Sequence, residues 1–214
     1  MNNTRQKILQ NLTEKNQRPQ KSPSVPGYQP RYSWNLEQRI KHFSKNLQAV
    51  HSEVYRTRPD SLSETLNIII QQKNIKHLLS SARVDKILSG PISHVEQFYF
   101  EQAIENWKAE LFNNIDASIT TSKGGIAETG SIILWPDHDE PRLMSLVPPI
   151  HIVIVRADKI YETFISAITE QNWQQQMPTN AILISGPSKT ADIEQILAYG
   201  IHGPKQLIVL IIET

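Results

Sequence analysis

Apolar side chains recur at helical spacing through the first third of the chain. Residues 4–17 predict a helix whose apolar side chains share one face: Ile8, Leu9 and Leu12. Helical signals resume at Trp34, where a stripe with spacings of three and four predicts a second helix; its members are Leu36, Ile40, Phe43, Leu47, Val50 and Val54. Asp60 or Ser61 can cap a third helix, which we expect to extend through Gln72.

From residue 115 onward, short apolar runs predict β-strands. The runs cover residues 116–122, 131–135, 151–155, 181–185 and 207–212. Helices are predicted at residues 159–171 and 191–199, the second ended by Gly200. The runs at 151–155, 181–185 and 207–212 are apolar throughout, as in strands covered on both faces. Alternating strands and helices predict an α/β fold, with a largely parallel sheet flanked by helices and an N-terminal helical appendage.

Four prolines in residues 19–30 separate the first helix from the rest of the chain. They predict an N-terminal helical arm at residues 1–59, with a Pro-rich linker at 19–30, and an α/β domain at residues 60–214. Residues 1–60 have a charge balance of +7 and residues 61–214 of −6. The basic arm is either solvated or docked on an acidic partner or a second copy of the chain. Because Asn and Gln dilute the basic residues and no binding motif accompanies them, nucleic acid is not expected.

Composition excludes several classes of function. The chain of 214 residues has no cysteine, which excludes disulfides, thiolate catalysis and cysteine-bound iron–sulfur clusters. No apolar run approaches the roughly 20 residues that cross a bilayer, and residues 1–7 lack the apolar core of a secretory signal. We therefore expect a cytoplasmic protein without a membrane span. Dinucleotide loops, Walker-type loops and nucleophile elbows are also absent from the sequence.

Six of the eight glycines fall in two segments, of which residues 185–194 with 200–204 are the stronger candidate for binding. A glycine turn between a parallel strand and a capped helix leaves backbone N–H groups for a small anion at the carboxyl end of the strand. The candidate ligand-binding residues are Ser185, Gly186, Ser188, Lys189, Thr190, Asp192 and His202. The alternative is a well-built helix start, with Thr190 or Ser188 as its cap.

The other glycine segment, residues 124–130, lies between two predicted strands. Its candidate ligand-binding residues are Gly125, Thr129 and Gly130. Glu128 is the candidate catalytic residue, since a carboxylate in a tight turn can act as a nucleophile or a general base. We favour the structural alternative, in which the carboxylate accepts backbone N–H bonds and holds the turn.

Two further features each have a chemical and a structural interpretation. His202 can act as an acid or base near neutral pH, but a lone loop histidine is more often a hydrogen-bonding strut. Residues 137–140 are metal ligands by type, but four in a row between two prolines are typical of an exposed turn. We therefore expect no metal site in this chain.

Three motifs together carry a resemblance to a known family: GIAETG at residues 125–130, SGPSKTADIE at 185–194 and GIHGP at 200–204. Their order and spacing resemble the lactate-utilisation (LUD) domain family, in its lactate utilisation protein C branch, over roughly residues 60–214. Two departures are mild. Lys189 stands where the family usually has arginine, which keeps the charge but loses the bidentate fork, and Ser131 stands where threonine is usual.

The resemblance implies a fold of the type shared by CoA transferases, ribose-5-phosphate isomerase and formyltetrahydrofolate cyclo-ligase. It also implies a role in the oxidation of L-lactate to pyruvate, beside two companion proteins that hold cysteine-bound iron–sulfur clusters. This chain would be the cluster-free subunit, with no cofactor of its own, in agreement with its lack of cysteine. The resemblance supplies no settled catalytic residue for this subunit.

Three hypotheses follow for the function. In the first, which we favour, the chain is this cluster-free subunit, binds a small anionic ligand or a partner at its glycine-rich loops, and docks through its N-terminal segment. In the second, it is a stand-alone enzyme of the CoA-transferase or isomerase kind, with Glu128 as nucleophile or base and Lys189 and Thr190 holding an anionic group. In the third, it is a non-catalytic adaptor in which the glycine segments only shape the fold.

Overall fold

Helices and strands alternate along most of the chain. The computed structural model describes residues 2–16, 31–100, 104–191, 197–199 and 203–213. The helices are α1 (Asn2–Asn16), α2 (Leu36–Ala49), α3 (Leu62–Lys73), α4 (Ala82–Asp85), α5 (Ile104–Asn113), α6 (Arg142–Leu146) and α7 (Phe164–Glu170). The strands are β1 (Glu53–Thr57), β2 (His77–Ser80), β3 (Glu96–Tyr99), β4 (Ala117–Thr121), β5 (Gly124–Ile126), β6 (Ser131–Leu134), β7 (Ile150–Arg156), β8 (Ile160–Tyr161), β9 (Ile182–Ile184), β10 (Lys189–Ala191), β11 (Leu197–Tyr199) and β12 (Gln206–Ile212).

Six of these strands pair into an entirely parallel sheet. The strand order is β1-β12-β7-β4-β2-β3, and each neighbouring pair is parallel. The register places Ile208 of β12 opposite Glu53 of β1 on one side and Ile152 of β7 on the other. The predicted α/β class with a largely parallel sheet is confirmed.

The central strands β7 and β12 are buried on both faces, which explains their unbroken apolar runs. Alternate residues of these strands pack against α3 on one face: Ile152, Ile154, Ile208, Leu210 and Ile212. The intervening residues pack against α2 on the other: Val153, Val155, Leu207, Val209 and Ile211. From α2, Phe43 and Leu47 enter this second cluster and are completely buried, each contributing about 1.5–3 kcal/mol through the burial of its side chain.

A second, four-stranded sheet packs on the α2 side. Its order is β8-β5-β6-β9, with β5 parallel to β8 and the other pairs antiparallel. Ala127, Ile132 and Ile160 from this sheet and its turns join Phe43 and Leu47 in one core. The sequence pattern predicts the strands β6 and β9 of this sheet but not β5 and β8, because strands of two or three residues are too short to establish a period.

The run at residues 181–185 therefore belongs to a different sheet from the one expected. It forms β9, which pairs antiparallel with β6 at the edge of the second sheet. Leu183 in β9 is 44% exposed, so the strand is not covered on both faces as its composition predicted. A short apolar run does not distinguish a buried strand from an edge strand with one exposed apolar side chain.

The helix predicted at residues 191–199 is wrong. Lys189–Ala191 and Leu197–Tyr199 form the antiparallel pair β10 and β11, while 192–196 and Gly200 lie outside the described residues. No helix begins at Thr190, so the expected cap and its aligned backbone N–H groups are not formed there. Strand pairing overrides the weak helical preference of this segment.

Two other helices differ from their predicted bounds. The helix expected through Val54 ends at Ala49, because His51 has a φ of 66° that turns the chain, and Val54 instead pairs with β12 in β1. The helix expected from Lys159 begins only at Phe164, after the short strand β8. Its start is fixed by a capping box. The backbone N–H of Ser166 donates to the Thr163 hydroxyl, and the backbone N–H of Thr163 donates to the Ser166 hydroxyl.

The chain divides into two compact units, Met1–Arg31 and Tyr32–Thr214. In the first, α1 confirms the helix predicted at residues 4–17, and its Ile8 and Leu9 are more than half exposed. The Pro-rich linker lies outside the described residues. The second unit contains α2 and β1, so the boundary expected at residue 60 falls inside it, between β1 and α3.

Candidate functional site

The two glycine segments meet through a chain of three hydroxyl groups. Antiparallel pairing of β6 with β9 brings Ser131 beside Ser185. Their Oγ atoms are 2.7 Å apart, and the Oγ1 of Thr129 lies 2.7 Å from the Oγ of Ser131. These contacts link Thr129 of the first segment to Ser185 of the second through the hydroxyl of Ser131.

The first segment is a tight turn held against α2. Asn46 donates from its Nδ2 to the carbonyl oxygens of Ala127 and Glu128, at 3.0 and 3.1 Å. A Cβ on Gly125 would lie 2.7 Å from the ring of Phe43, and one on Gly130 would lie 2.6 Å from the Cβ of Asn46. Close approach to α2 accounts for these glycines without a ligand.

Glu128 is engaged in contacts that hold the turn. Its backbone N–H donates to the carbonyl of Glu162 at 3.0 Å, and its Oε1 accepts a bond from the Tyr32 hydroxyl at 3.0 Å. Tyr32 stacks on Trp34, whose backbone N–H donates to the Glu162 carboxylate at 2.6 Å. These contacts suit the structural alternative, and a catalytic role for Glu128 stays a prediction.

The second segment borders a cavity of about 260 Å³. Gly186 has a φ of 154°, and a Cβ there would lie 2.8 Å from a methyl carbon of Val50, so this position also requires glycine. The backbone N–H of Ser188 donates to the carbonyl of Pro204 at 2.8 Å, which ties the two parts of the segment together. The resulting loop pair forms one wall of the cavity.

Apolar side chains and hydroxyls make up most of the cavity wall. The lining residues are Ser145, Leu146, His151, Ile182, Leu183, Ile184, Ser185, Gly186, Ser188, Gly203, Pro204 and Leu207. His151 is the one ionisable side chain among them. His151 and Leu207 are the second residues of β7 and β12, so the cavity lies at the amino ends of these parallel strands. The sequence predicted a binding site at the carboxyl end of a parallel strand instead.

His151 is the buried polar group of this cavity. The side chain is fully buried, its Nε2 lies 2.8 Å from the Oγ1 of Thr120, and its Nδ1 has no hydrogen-bond partner among the described residues. Burial disfavours the charged ring and lowers the pKa of His151 to about 3, so the imidazole is neutral at physiological pH. A neutral imidazole offers one donor and one acceptor to a ligand or neighbour.

The structure describes only some of the predicted ligand-binding residues of the second segment. Lys189 is exposed and directly follows Ser188 of the cavity wall. Thr190 belongs to β10, whereas Asp192 and His202 lie outside the described residues. His151 was missed by the sequence analysis, although one signal was present: it is the single polar residue of a continuous apolar strand.

The crevice at the carboxyl ends of β2 and β4 is a second concave region. The strand order reverses there, because β2 leads outward to β3 whereas β4 leads toward β7, and ligands often bind at such points. Glu140 fills its base, 6% exposed, and accepts bonds from the backbone and hydroxyl of Thr121 and from the Ser81 hydroxyl. Arg83 pairs with Asp137 at 2.7 Å. Glu140 is therefore not part of an exposed turn, and its hydrogen bonds tie the two strands together.

Neither a metal site nor a spanning helix occurs in the described part of the chain. No group of three or more His, Asp or Glu side chains there is arranged to hold a metal ion. None of the described helices has the length and apolar character that would carry it through a membrane.

Known proteins similar to this chain agree with this architecture. A family model described as "LUD domain" matches residues 40–212. An uncharacterised protein of Neisseria meningitidis serogroup B is 37% identical over 97% of this chain and 93% of its own length. A protein named "Lactate utilization protein C" from Oceanobacillus iheyensis is 26% identical over 98% of each chain. The crystal structure of a DUF162 family protein from Deinococcus radiodurans has the same fold, with a TM-score of 0.65 over 84% of this chain and 99% of that one, at 20% identity.

Proposed function

This chain belongs to the LUD domain family, and from that membership we propose that it works in lactate utilisation, as the cluster-free member of a cytoplasmic iron–sulfur system that oxidises L-lactate to pyruvate. Relatives named lactate utilization protein C support the pathway, one of them along 98% of this chain. The lack of cysteine supports the cluster-free role, because the sulfur ligands of the clusters must then come from partner subunits.

We propose further that the cavity beside the second glycine segment binds a small organic acid of this system. The observation that carries this proposal is that Ser185, Gly186 and Ser188 line one cavity with His151, whose Nδ1 has no hydrogen-bond partner among the described residues. The carboxylate of the ligand would lie at the rim, because the wall has no cation to compensate a buried charge and Lys189 is exposed beside Ser188.

Growth on lactate tests the pathway. Deletion of the gene is expected to abolish growth on L-lactate as sole carbon source while leaving growth on pyruvate intact, and the wild-type gene should restore it. A Ser188→Phe gene, which crowds the cavity, should fail to restore growth, whereas Met177→Phe should succeed because Met177 is 74% exposed and outside the cavity wall. Immunoblots establish equal protein levels. Unimpaired growth of the deletion strain on lactate would contradict the pathway role.

Ligand binding separates this proposal from its two alternatives. A ligand at about 100 times its dissociation constant stabilises a protein by roughly 2.7 kcal/mol, which thermal unfolding detects readily. A shift with L-lactate or pyruvate supports the cavity, whereas no shift with these acids, phosphate or CoA favours the adaptor. Turnover by the chain without partners, lost in Glu128→Gln, would instead establish a stand-alone enzyme.

The N-terminal unit is proposed as the docking element. Two apolar side chains of α1, Ile8 and Leu9, are more than half exposed, as expected of a helix that packs on another subunit or on a second copy of the chain. Removal of residues 1–31 should reduce co-purification with the partner subunits or shift the chain to a smaller oligomer, without changing acid binding at the cavity. Unchanged association would contradict this role.

A further inference from the structure

The Nδ1 of His151 is a buried polar atom without a hydrogen-bond partner among the described residues. The ring is completely buried, and its Nδ1 is one of few buried side-chain atoms in the described residues that lack a hydrogen-bond partner. Such a group costs free energy in the empty protein, which a ligand can recover by supplying the missing partner. Because the ring lines the cavity, the cavity is the place from which a partner can come.

The contact with Thr120 indicates which of the two ring nitrogens of His151 carries the proton. The Thr120 hydroxyl has one hydrogen and no other hydrogen bond among the described residues. If the hydroxyl donates to Nε2, that hydrogen is satisfied and Nδ1 carries the ring proton as the single unpaired donor. If Nε2 instead carried the proton, both the hydroxyl hydrogen and the Nδ1 lone pair would be unpaired. The first arrangement leaves fewer unpaired groups, so the ring carries its proton on Nδ1 as a donor.

The rest of the wall determines which acceptor this donor can bind. Three serine hydroxyls and several leucine and isoleucine side chains line the cavity together with His151, and no cationic side chain is among the lining residues. A carboxylate pressed against His151 would lose its hydration without gaining a counter-charge, whereas a carbonyl oxygen loses far less. The volume of about 260 Å³ is many times what a single water needs, so a short-chain acid fits.

We infer that His151 is the specificity-determining residue of the cavity, and that it selects a 2-oxo acid by donating from Nδ1 to the uncharged carbonyl oxygen. This inference rests on the proposed function, since it assumes that the cavity takes a small organic acid. The carboxylate of the acid lies toward Lys189 at the rim. A 2-hydroxy acid binds less tightly, because one of the serine hydroxyls in the wall must turn to accept from its hydroxyl hydrogen, which a 2-oxo acid does not require.

Calorimetric titration of the purified chain with pyruvate and with L-lactate tests the inference. His151→Asn keeps an N–H donor near the position of Nδ1, and His151→Leu removes it at similar volume. We expect pyruvate to bind wild type and His151→Asn within about threefold of each other, and His151→Leu roughly tenfold more weakly, as for the loss of one hydrogen bond. L-Lactate should bind wild type more weakly than pyruvate. Circular dichroism and thermal unfolding establish that both variants fold.

Each contrary result has a distinct meaning. Equal pyruvate binding by wild type, His151→Asn and His151→Leu would overturn the role of His151 while leaving the cavity as an acid site. No binding of either acid to wild type would overturn the inference together with the acid site, whereas the growth test decides the pathway role separately. Nitrogen-15 NMR of the imidazole gives a second measurement: a neutral Nδ1–H tautomer is expected for His151, and an Nε2–H tautomer would overturn the inference.

Discussion

The two glycine segments look alike in sequence but differ in what their glycines allow. In residues 124–130, Gly125 and Gly130 bring the backbone into contact with α2, and Asn46 donates to the carbonyls of the turn. In the second segment, Gly186 packs against Val50, which directly follows α2, but the loops at Ser188 and Gly203 border an uncharged cavity with a buried histidine. Glycine-rich composition therefore indicates that another group lies close to the backbone. The elements packed around each segment determine whether that group is a helix or a ligand.

A pair of glycine substitutions should give the largest difference between the segments. Gly130→Ala is expected to lower the free energy of unfolding by about 3 kcal/mol, because Gly130 has a φ of 64° and its new Cβ would lie 2.6 Å from Asn46 and 3.0 Å from the backbone nitrogen of Leu47. Gly203→Ala should change it by less than about 1 kcal/mol, since its φ is ordinary and its closest neighbour is the Ser188 Cβ at 3.2 Å. Urea denaturation of both variants measures the difference.

A similar loss of unfolding free energy in Gly130→Ala and Gly203→Ala would mean that the two segments are packed equally tightly. Binding gives a second comparison of the two segments. Gly203→Ala should alter the affinity for pyruvate more than its small effect on stability suggests, because it changes the cavity wall.

The pH dependence of stability should give the next largest effect. The pKa of His151 is about 3 in the folded protein and close to 6.5 when unfolded, so below pH 6.5 the unfolded state binds a proton that the folded state does not. Stability from this group is therefore complete above pH 6.5 and falls by about 1.4 kcal/mol per pH unit down to pH 3. Between pH 7.5 and 4.5, wild type should lose about 2–3 kcal/mol more than His151→Leu.

Denaturant unfolding across this pH range measures both proteins. The comparison of losses, rather than of absolute stabilities, removes the effect of the substitution on packing. Parallel pH profiles for wild type and His151→Leu would mean that His151 titrates as an exposed histidine does, and the cavity would then be wetter than its burial indicates.

Substitutions at the first segment's carboxylate should give the smallest effect. Glu128→Gln is expected to cost less than about 1 kcal/mol, because the amide oxygen can still accept from the Tyr32 hydroxyl. Tyr32→Phe removes the same bond from the other side and should cost a similar amount. Thermal unfolding measures both, and growth on lactate should persist in both. Loss of growth in Glu128→Gln alone, with unchanged stability, would support a catalytic Glu128 instead.

Periodicity predicted the parts of the fold whose burial is uniform over many residues. Strands β7 and β12 have five or six buried positions each and helix α2 has a regular apolar stripe, and all three were predicted. In the second sheet only β6 and β9 were predicted, because strands of two to four residues are too short to establish a period and β5 and β8 have two or three residues each. The strand pair β10 and β11 was mistaken for a helix since its pairing partner, not its own pattern, determines it.

The candidate site was predictable only where one segment contributes both a motif and its chemistry. Ser185, Gly186 and Ser188 do border the cavity, but their function depends on His151 from β7, which no local motif connects to them. The turn at Glu128 likewise depends on Asn46, from a helix that the sequence placed outside the α/β domain. Contacts between distant segments supply this information, and a single sequence does not contain it in readable form.

The position of β12 affects how the protein is made. Residues 206–212 are synthesised after every other described strand, yet they lie between β1 and β7 in the sheet. During translation, both of those strands therefore expose an unpaired edge until residues 206–212 leave the ribosome, and chaperones that shield such edges become important at that stage. A messenger truncated just before this stretch would yield a chain missing an interior strand, which we expect cells to degrade.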